Sequence, residues 1–151
     1  VYQYGAWRKV KIPSYFPDVP PLARVTGEQF GWRIVYAGPD RALDTADDVH
    51  VLNDFHVPVN QDVVLLLESR EVLHSLYFPH LRLKQDAVPG LTIRVWFRAL
   101  KEGTYDLVCA ELCGWGHYKM KGRLVVESEE AWRDWRAERA RDQNRAAAEA
   151  P

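Results

Sequence analysis

Residues 109–120 read Cys109-Ala110-Glu111-Leu112-Cys113-Gly114-Trp115-Gly116-His117-Tyr118-Lys119-Met120, placing two thiols, an imidazole and a thioether within twelve positions. These are soft ligands. Thiolate and thioether sulfur select copper(I), zinc or iron–sulfur chemistry, and imidazole suits copper and zinc, so the mixture points to copper. Met120 discriminates: zinc takes Cys, His and carboxylate, whereas a weak axial Met is a feature of electron-transfer copper sites. A single-copper site of that kind uses one Cys. A second Cys four positions on lets both sulfurs face one point and bridge two metal ions, provided the loop between them folds back. Two cysteines so close equally suit a disulfide or a pair of buried apolar side chains. Their coincidence with His117 and with the only methionine of the chain outweighs both readings.

The surroundings of this stretch read as β structure. Residues 104–110 lead into it and residues 123–127 follow it as short strands, with a turn at 101–103. Further upstream, residues 91–99 set Ile93, Val95 and Phe97 against Thr92, Arg94 and Arg98 in a period of two, with Trp96 breaking the polar face and 88–90 as a turn. Residues 63–69 hold a continuous apolar run, as expected of a strand buried on both faces. Residues 29–37 are rich in aromatic and β-branched side chains and end in the turn chemistry of Gly38-Pro39-Asp40. Short strands with frequent turns predict a sandwich or barrel. Residues 1–24, with Pro13, Pro17, Pro20 and Pro21, read as an extended arm. Residues 128–151 read as a C-terminal helix capped by Ser128, with Glu129 and Glu130 in its first turn. Trp132 and Trp135 give that helix one apolar face, so docking through its first turns and a frayed tail after Arg141 are expected. Its five arginines and six acidic residues read as a solvated face.

Length and composition set outer bounds. The 151 residues make one domain, and 47% hydrophobic against 27% charged residues excludes wholesale disorder. The longest apolar run, residues 63–67, is five residues long, against about 20 for a spanning helix. Twenty basic and twenty-one acidic side chains leave a net charge of −1, which argues against nucleic-acid partners. Two cysteines exclude a disulfide-rich scaffold, and the lack of Cys-x-x-Cys-His excludes c-type haem attachment. No phosphate-binding Gly-rich loop, Gly-x-Ser-x-Gly elbow or His-Glu-x-x-His occurs to suggest a separate active site. The spacing of the aspartates in residues 40–54 does not fit an EF-hand, so calcium is not expected. The opening at Val1, with no Met or leader, suggests a processed or truncated polypeptide. His50, His56 and His80 default to non-ligands. His74 stands apart, following Val72-Leu73 just after the buried run, where a sandwich presents side chains at one pole.

On these residues the sequence resembles the binuclear copper (CuA) domain of cytochrome c oxidase subunit II. The family pattern Cys-x-Glu-x-Cys-Gly-x-x-His-x-x-Met is met by Cys109, Glu111, Cys113, Gly114, His117 and Met120. The block Val72-Leu73-His74-Ser75, with residues 83–90 after it, looks like the segment holding the family's first copper histidine. The resemblance covers roughly residues 25–127 and implies an all-β, cupredoxin-like Greek-key β-sandwich, here followed by the C-terminal α-helix. It also implies two copper ions bridged by Cys109 and Cys113, with one nitrogen each from His74 and His117. Met120 sulfur and the Glu111 carbonyl would be weak axial ligands, and in the full complex the Glu111 carboxylate would contact magnesium at the junction with subunit I.

The implied function is electron transfer: electrons accepted from cytochrome c pass to the haem–copper subunit of a terminal oxidase. The chain would be the electron-accepting subunit of an oxidoreductase on the outer, periplasmic face of a respiratory membrane, anchored by helices that precede this sequence. Bridging thiolates spread one unpaired electron over both metals, so geometry barely changes on reduction. Since no haem c domain is present, the donor would be a separate protein. The family takes up electrons at an aromatic run after a Gln, usually beginning with Trp. Here the run is Gln29-Phe30-Gly31-Trp32, which puts Phe30 at the uptake position and Trp32 as a substitute. The five aspartates of residues 40–54, among them Asp44, Asp47 and Asp48, are expected to form an acidic face that steers a basic cytochrome c. Two alternatives stand beside this reading. One is the copper domain of nitrous-oxide reductase, which prefers Trp-Phe where this chain has Glu111-Leu112. The other is a structural zinc module using His74, Cys109, Cys113 and His117 without Met120.

Overall fold

In a computed structural model the chain is described over residues 2–149; Val1, Ala150 and Pro151 lie outside the described residues. Ten strands form two five-stranded sheets. The first runs β3 (Val49–Leu52), β2 (Gly31–Tyr36), β1 (Ala23–Glu28), β5 (Asp62–Ser69), β8 (Ile93–Arg98). The second runs β4 (Asp54–Pro58), β10 (Lys121–Glu127), β9 (Gly103–Cys109), β6 (His74–Phe78), β7 (Leu83–Ala87). Neighbours pair antiparallel except β1 with β5 and β10 with β4, which are parallel. Those two exceptions mark the crossovers between sheets that make this a Greek-key sandwich.

The sheets meet because every strand has an apolar face. Along β1 the inward positions are Ala23, Val25 and Gly27, alternating with Arg24, Thr26 and Glu28. In β5 the inner set is Val63, Leu65 and Leu67, and Val64 is buried as well, as the unbroken apolar run requires. Between the sheets Phe55, Phe78 and Phe97 pack ring on ring, with centroids 5.5–6.3 Å apart. Each fully buried side chain of this size contributes about 1.5–3 kcal/mol of transfer free energy.

Two helices close the open flanks. α2 (Glu129–Glu149) begins with the Ser128 hydroxyl accepting the Ala131 amide at 3.2 Å, as the sequence predicts. Trp132 is buried and donates from its indole to the His56 carbonyl at 3.2 Å, while Trp135 stacks on the His56 ring with centroids 3.8 Å apart. Docking continues past the first turns. Gln143 donates to the Asp48 carbonyl at 2.7 Å and accepts from the His50 amide at 3.0 Å, and the helix runs on to Glu149 rather than ending near Arg141. The pull comes from polar contacts to β3 that an apolar-face reading does not register.

At the other flank the expected extended arm is instead partly helical. α1 spans Tyr2–Lys11 and a 3-10 turn spans Pro13–Tyr15. All four prolines lie beyond residue 12, so nothing in residues 2–11 breaks a helix. α1 rests on β7 and β8: the Trp96 indole donates to the Lys9 carbonyl at 2.8 Å, and Lys11 donates to the Lys84 carbonyl at 2.8 Å. Trp96 therefore breaks the polar face of β8 because that face is covered.

Candidate metal centre

The candidate ligands come from two adjacent strands of the second sheet. His74 opens β6 and Cys109 ends β9, and the two strands pair at Leu76 with Cys109. The loop after Cys109 is closed at its base by the Cys109 amide donating to the Met120 carbonyl at 3.1 Å. It is fastened to β6 by the Ala110 amide donating to the Ser75 carbonyl at 2.9 Å. Inside it, the His117 amide donates to the Gly114 carbonyl at 3.1 Å and starts a 3-10 turn over His117–Lys119, which sets His117 and Met120 back toward Cys113.

The result is a chain of soft donors. The two sulfurs stand 3.9 Å apart, far beyond the roughly 2.05 Å of a disulfide and within the span of two metal–sulfur bonds of about 2.3 Å each. The His74 Nδ1 lies 3.9 Å from the Cys109 sulfur and the His117 Nδ1 3.6 Å from the Cys113 sulfur. The Glu111 carbonyl is 3.2 Å from the Cys109 sulfur, and the Met120 sulfur is 3.7 Å from that of Cys113. His74, Cys109 and Cys113 hold one donor atom each within 4.8 Å of one another; His117 lies outside this trio. All six residues singled out in the sequence thus lie together.

Burial shapes their chemistry. His74 is fully buried, and Cys109, Cys113 and Met120 are buried with it, while His117 is half-exposed. Burial, and then the neighbouring Cys109, push the Cys113 thiol up to about 11. Burial also lowers His74, against the opposing pull of Glu71. The His74 Nε2 has no hydrogen-bond partner, since the Glu71 carboxylate stands off at 3.9 Å. A buried imidazole with only a distant sulfur at Nδ1 is under-satisfied by about 1–3 kcal/mol. A soft cation on Nδ1 would give that nitrogen a partner and neutralise two thiolates, so the donor set fits copper by its chemistry.

The other expected site residues divide. Phe30 lies beside the loop, its neighbour Gln29 donating from its side chain to the Cys113 carbonyl at 2.6 Å. Trp32 is completely buried, its ring centroid 6.1 Å from that of His74, so it is a core side chain that no donor protein can touch. The expected acidic face is only partly solvent-facing: Asp44 and Asp47 are exposed, Asp48 is not. Asp48 is only 2% exposed and accepts from the Asp44 and Thr45 amides, tying its own loop together. Asp44 is paired with Arg24, which holds its carboxyl below the usual range, and Asp47 accepts from the Thr45 hydroxyl at 2.7 Å. The loop also leaves the far end of β2 from Phe30, separated by roughly 17 Å of strand at ~3.4 Å per residue. The sequence reading passed over Trp115, which stands 81% exposed on the loop itself. Its two flanking glycines, Gly114 and Gly116, are the signal that could have found it.

Comparison with known proteins gives one consistent answer. The family profile of the cytochrome c oxidase subunit II periplasmic domain matches residues 28–129. The alternative cytochrome c oxidase subunit 2 of Bradyrhizobium diazoefficiens is 35% identical over 148 residues, covering 83% of this chain and 52% of that protein. The cytochrome c oxidase subunit 2 of Thermostichus vulcanus is 43% identical over 150 residues, covering 99% of this chain and 40% of that protein. The chain thus spans about half or less of the length of these relatives. In structure it is similar to the periplasmic domain of subunit II of the Bradyrhizobium japonicum cytochrome oxidase, with a TM-score of 0.73 and 25% identity over 83% of this chain and 97% of that one. A mixed disulfide intermediate between a thioredoxin-like protein and a cytochrome c oxidase subunit II gives a TM-score of 0.67 at 26% identity, covering 83% of this chain and 98% of that one.

Proposed function

The chain belongs to the cytochrome c oxidase subunit II family as its periplasmic, cupredoxin-like domain, and from that premise we propose that it holds a binuclear copper centre. With it the domain would take electrons from cytochrome c and pass them to the haem–copper subunit of a terminal oxidase. Cys109 and Cys113 would hold both ions through sulfur, His74 and His117 would give a nitrogen each, and the Met120 sulfur and the Glu111 carbonyl would be weaker donors. When bound, the copper pair supplies a one-electron couple shared between two ions.

The observation that carries this reading is the elongated donor set. Each sulfur has its own imidazole and its own axial group, and His117 stands apart from the close trio of His74, Cys109 and Cys113. One tetrahedral zinc would draw all four Cys and His donors mutually close, at about 3.3–3.8 Å for bonds of ~2.0–2.3 Å. The protein residues do the rest. The buried His74, Cys109, Cys113 and Met120 keep water from the donors, and the backbone bonds at the loop base hold them in place whichever charge the centre carries.

The reading extends to partners and place. Because a relative forms a mixed disulfide with a thioredoxin-like protein, a thiol reductant of that kind is proposed to keep Cys109 and Cys113 reduced for metal loading. Subunit I, with magnesium at the Glu111 carboxylate on the junction, belongs to the assembled oxidase. So do membrane helices that precede this domain in a longer protein, which place it on the outer face of a respiratory membrane. Among the described residues no helix is long and apolar enough to cross a membrane.

Copper loading of the reduced protein tests the proposal. Two coppers per chain, a purple mixed-valence spectrum and an electron-spin signal split by two equivalent nuclei are expected. One zinc bound in preference to copper, or a signal from a single nucleus, would overturn it.

A further inference from the structure

Among the described residues Trp115 is the most exposed large apolar side chain at 81%, and it sits between Cys113 and His117 in the sequence. Its ring meets Phe30 edge to face, with centroids 5.1 Å apart. Phe30 in turn lies flat against the loop backbone. A Cβ on Gly116 would fall 2.4 Å from the Phe30 ring and one on Gly114 3.1 Å from it, and Gly114 also has a φ of +139°. Glycine at both places therefore lets the ring touch the chain that carries Cys113 and His117. Read inward, the order is an exposed indole, a half-buried phenyl ring and the donor loop.

The loop that carries the indole exposes two further large apolar side chains, with the Lys119 ammonium 5.4 Å over the ring of one of them, Tyr118. Leu112 and Tyr118 on the same loop are 76% and 73% exposed. Glu28, the carboxylate at the end of β1, is taken up by Arg33 and Arg70. Exposed aromatic and aliphatic side chains grouped in this way mark an interaction site, and Trp is the residue type that most often anchors one.

Resting on the copper reading above, we propose that Trp115 is where a reduced c-type cytochrome docks, through the apolar surface around its haem edge, and delivers its electron by way of Phe30. The step is a one-electron exchange: the haem iron is oxidised by one electron and the centre is reduced by one, with no proton moved and no covalent bond made or broken. Phe30 is then the inner half of the path rather than the contact itself.

The test compares Trp115→Ala and Trp115→Phe with the parent domain. The affinity for ferricytochrome c is measured on oxidised copper-loaded and on metal-free protein, where no electron can flow. Loss of a central Trp anchor should weaken the complex about 10–30-fold in Trp115→Ala and much less in Trp115→Phe. Reduction by ferrocytochrome c should slow at least as much in Trp115→Ala. Reduction by hexaammineruthenium(II), which has no protein face to dock, should lose far less, and copper content and spectrum should match the parent. An unchanged affinity and rate with cytochrome overturns the proposal, as does equal slowing with both reductants. Failure of the copper reading itself shows separately, as a missing mixed-valence spectrum in the parent protein, and the metal-free affinity still decides the docking role of Trp115.

Discussion

Replacing Gly27 by Ala should weaken copper binding without touching a ligand. Gly27 lies in β1, facing across the sandwich to His74 in β6, and a Cβ there would stand 2.9 Å from the imidazole Cδ2 and Cγ and 3.1 Å from the His74 Cβ. An ordinary carbon–carbon contact needs ~3.5 Å, so the ring must move by about 0.6 Å. It has little freedom to do so, being fully buried and flanked by Trp32 with centroids 6.1 Å apart. Overpacking of this kind costs about 1–3 kcal/mol, offset by about 0.5–1 kcal/mol from the stiffer unfolded chain. Net destabilisation of the metal-free domain should be no more than about 2.5 kcal/mol. The metal site is less tolerant, since ligands must be held to about 0.5 Å, and a displaced His74 should cost about 10–100-fold in copper affinity. Urea unfolding of the metal-free protein and competitive copper titration separate the two effects. Gly90→Ala, where a Cβ meets nothing within 4 Å, should leave copper affinity alone. If Gly27→Ala bound two coppers with parental affinity and spectrum, the view that β1 sets the position of His74 would be refuted.

Three further outcomes follow from the same geometry. Cys109→Ser or Cys113→Ser should abolish the mixed-valence spectrum, while Met120→Leu should keep both coppers and shift the reduction potential, as voltammetry and metal analysis can check. Trp132→Ala removes a buried indole and its bond to the His56 carbonyl, and should lower unfolding stability by about 3 kcal/mol in urea. Arg123 holds Asp54, and Arg98 holds Asp62, below the usual carboxylate range. Their contribution is therefore full above the unfolded value near pH 4 and lost as pH falls through the lower folded value. The acid limb of a stability–pH curve should be shallower in Asp54→Asn than in the parent.

The sequence exposes some of this molecule and hides other parts for physical reasons. Strands β5, β8, β9 and β10 are legible because each carries an apolar run or a strict alternation. β7 (Leu83–Ala87) is an edge strand whose three central residues are polar, and β4 (Asp54–Pro58) ends on a proline at the opposite edge, so neither has a pattern that stands out. α1 is masked by the prolines that follow it. At the centre, the twelve-residue motif displays its donors openly, whereas His74 sits 35 positions before Cys109 and is brought in only by the pairing of β6 with β9. The aspartates of residues 44–48 show the converse. Their charge is visible in the sequence, but not that Asp48 turns inward and Asp44 meets Arg24.

A β-sandwich has two raw margins where hydrogen-bonding groups would otherwise invite a strand from another molecule. Here α1 lies along the margin made by β7 and β8, and α2 along the one made by β3 and β4. Lateral zippering to a second copy is thereby blocked on both sides. One end of the sandwich carries the sulfur pair, so a partner that meets the pair there need not displace either helix from its margin.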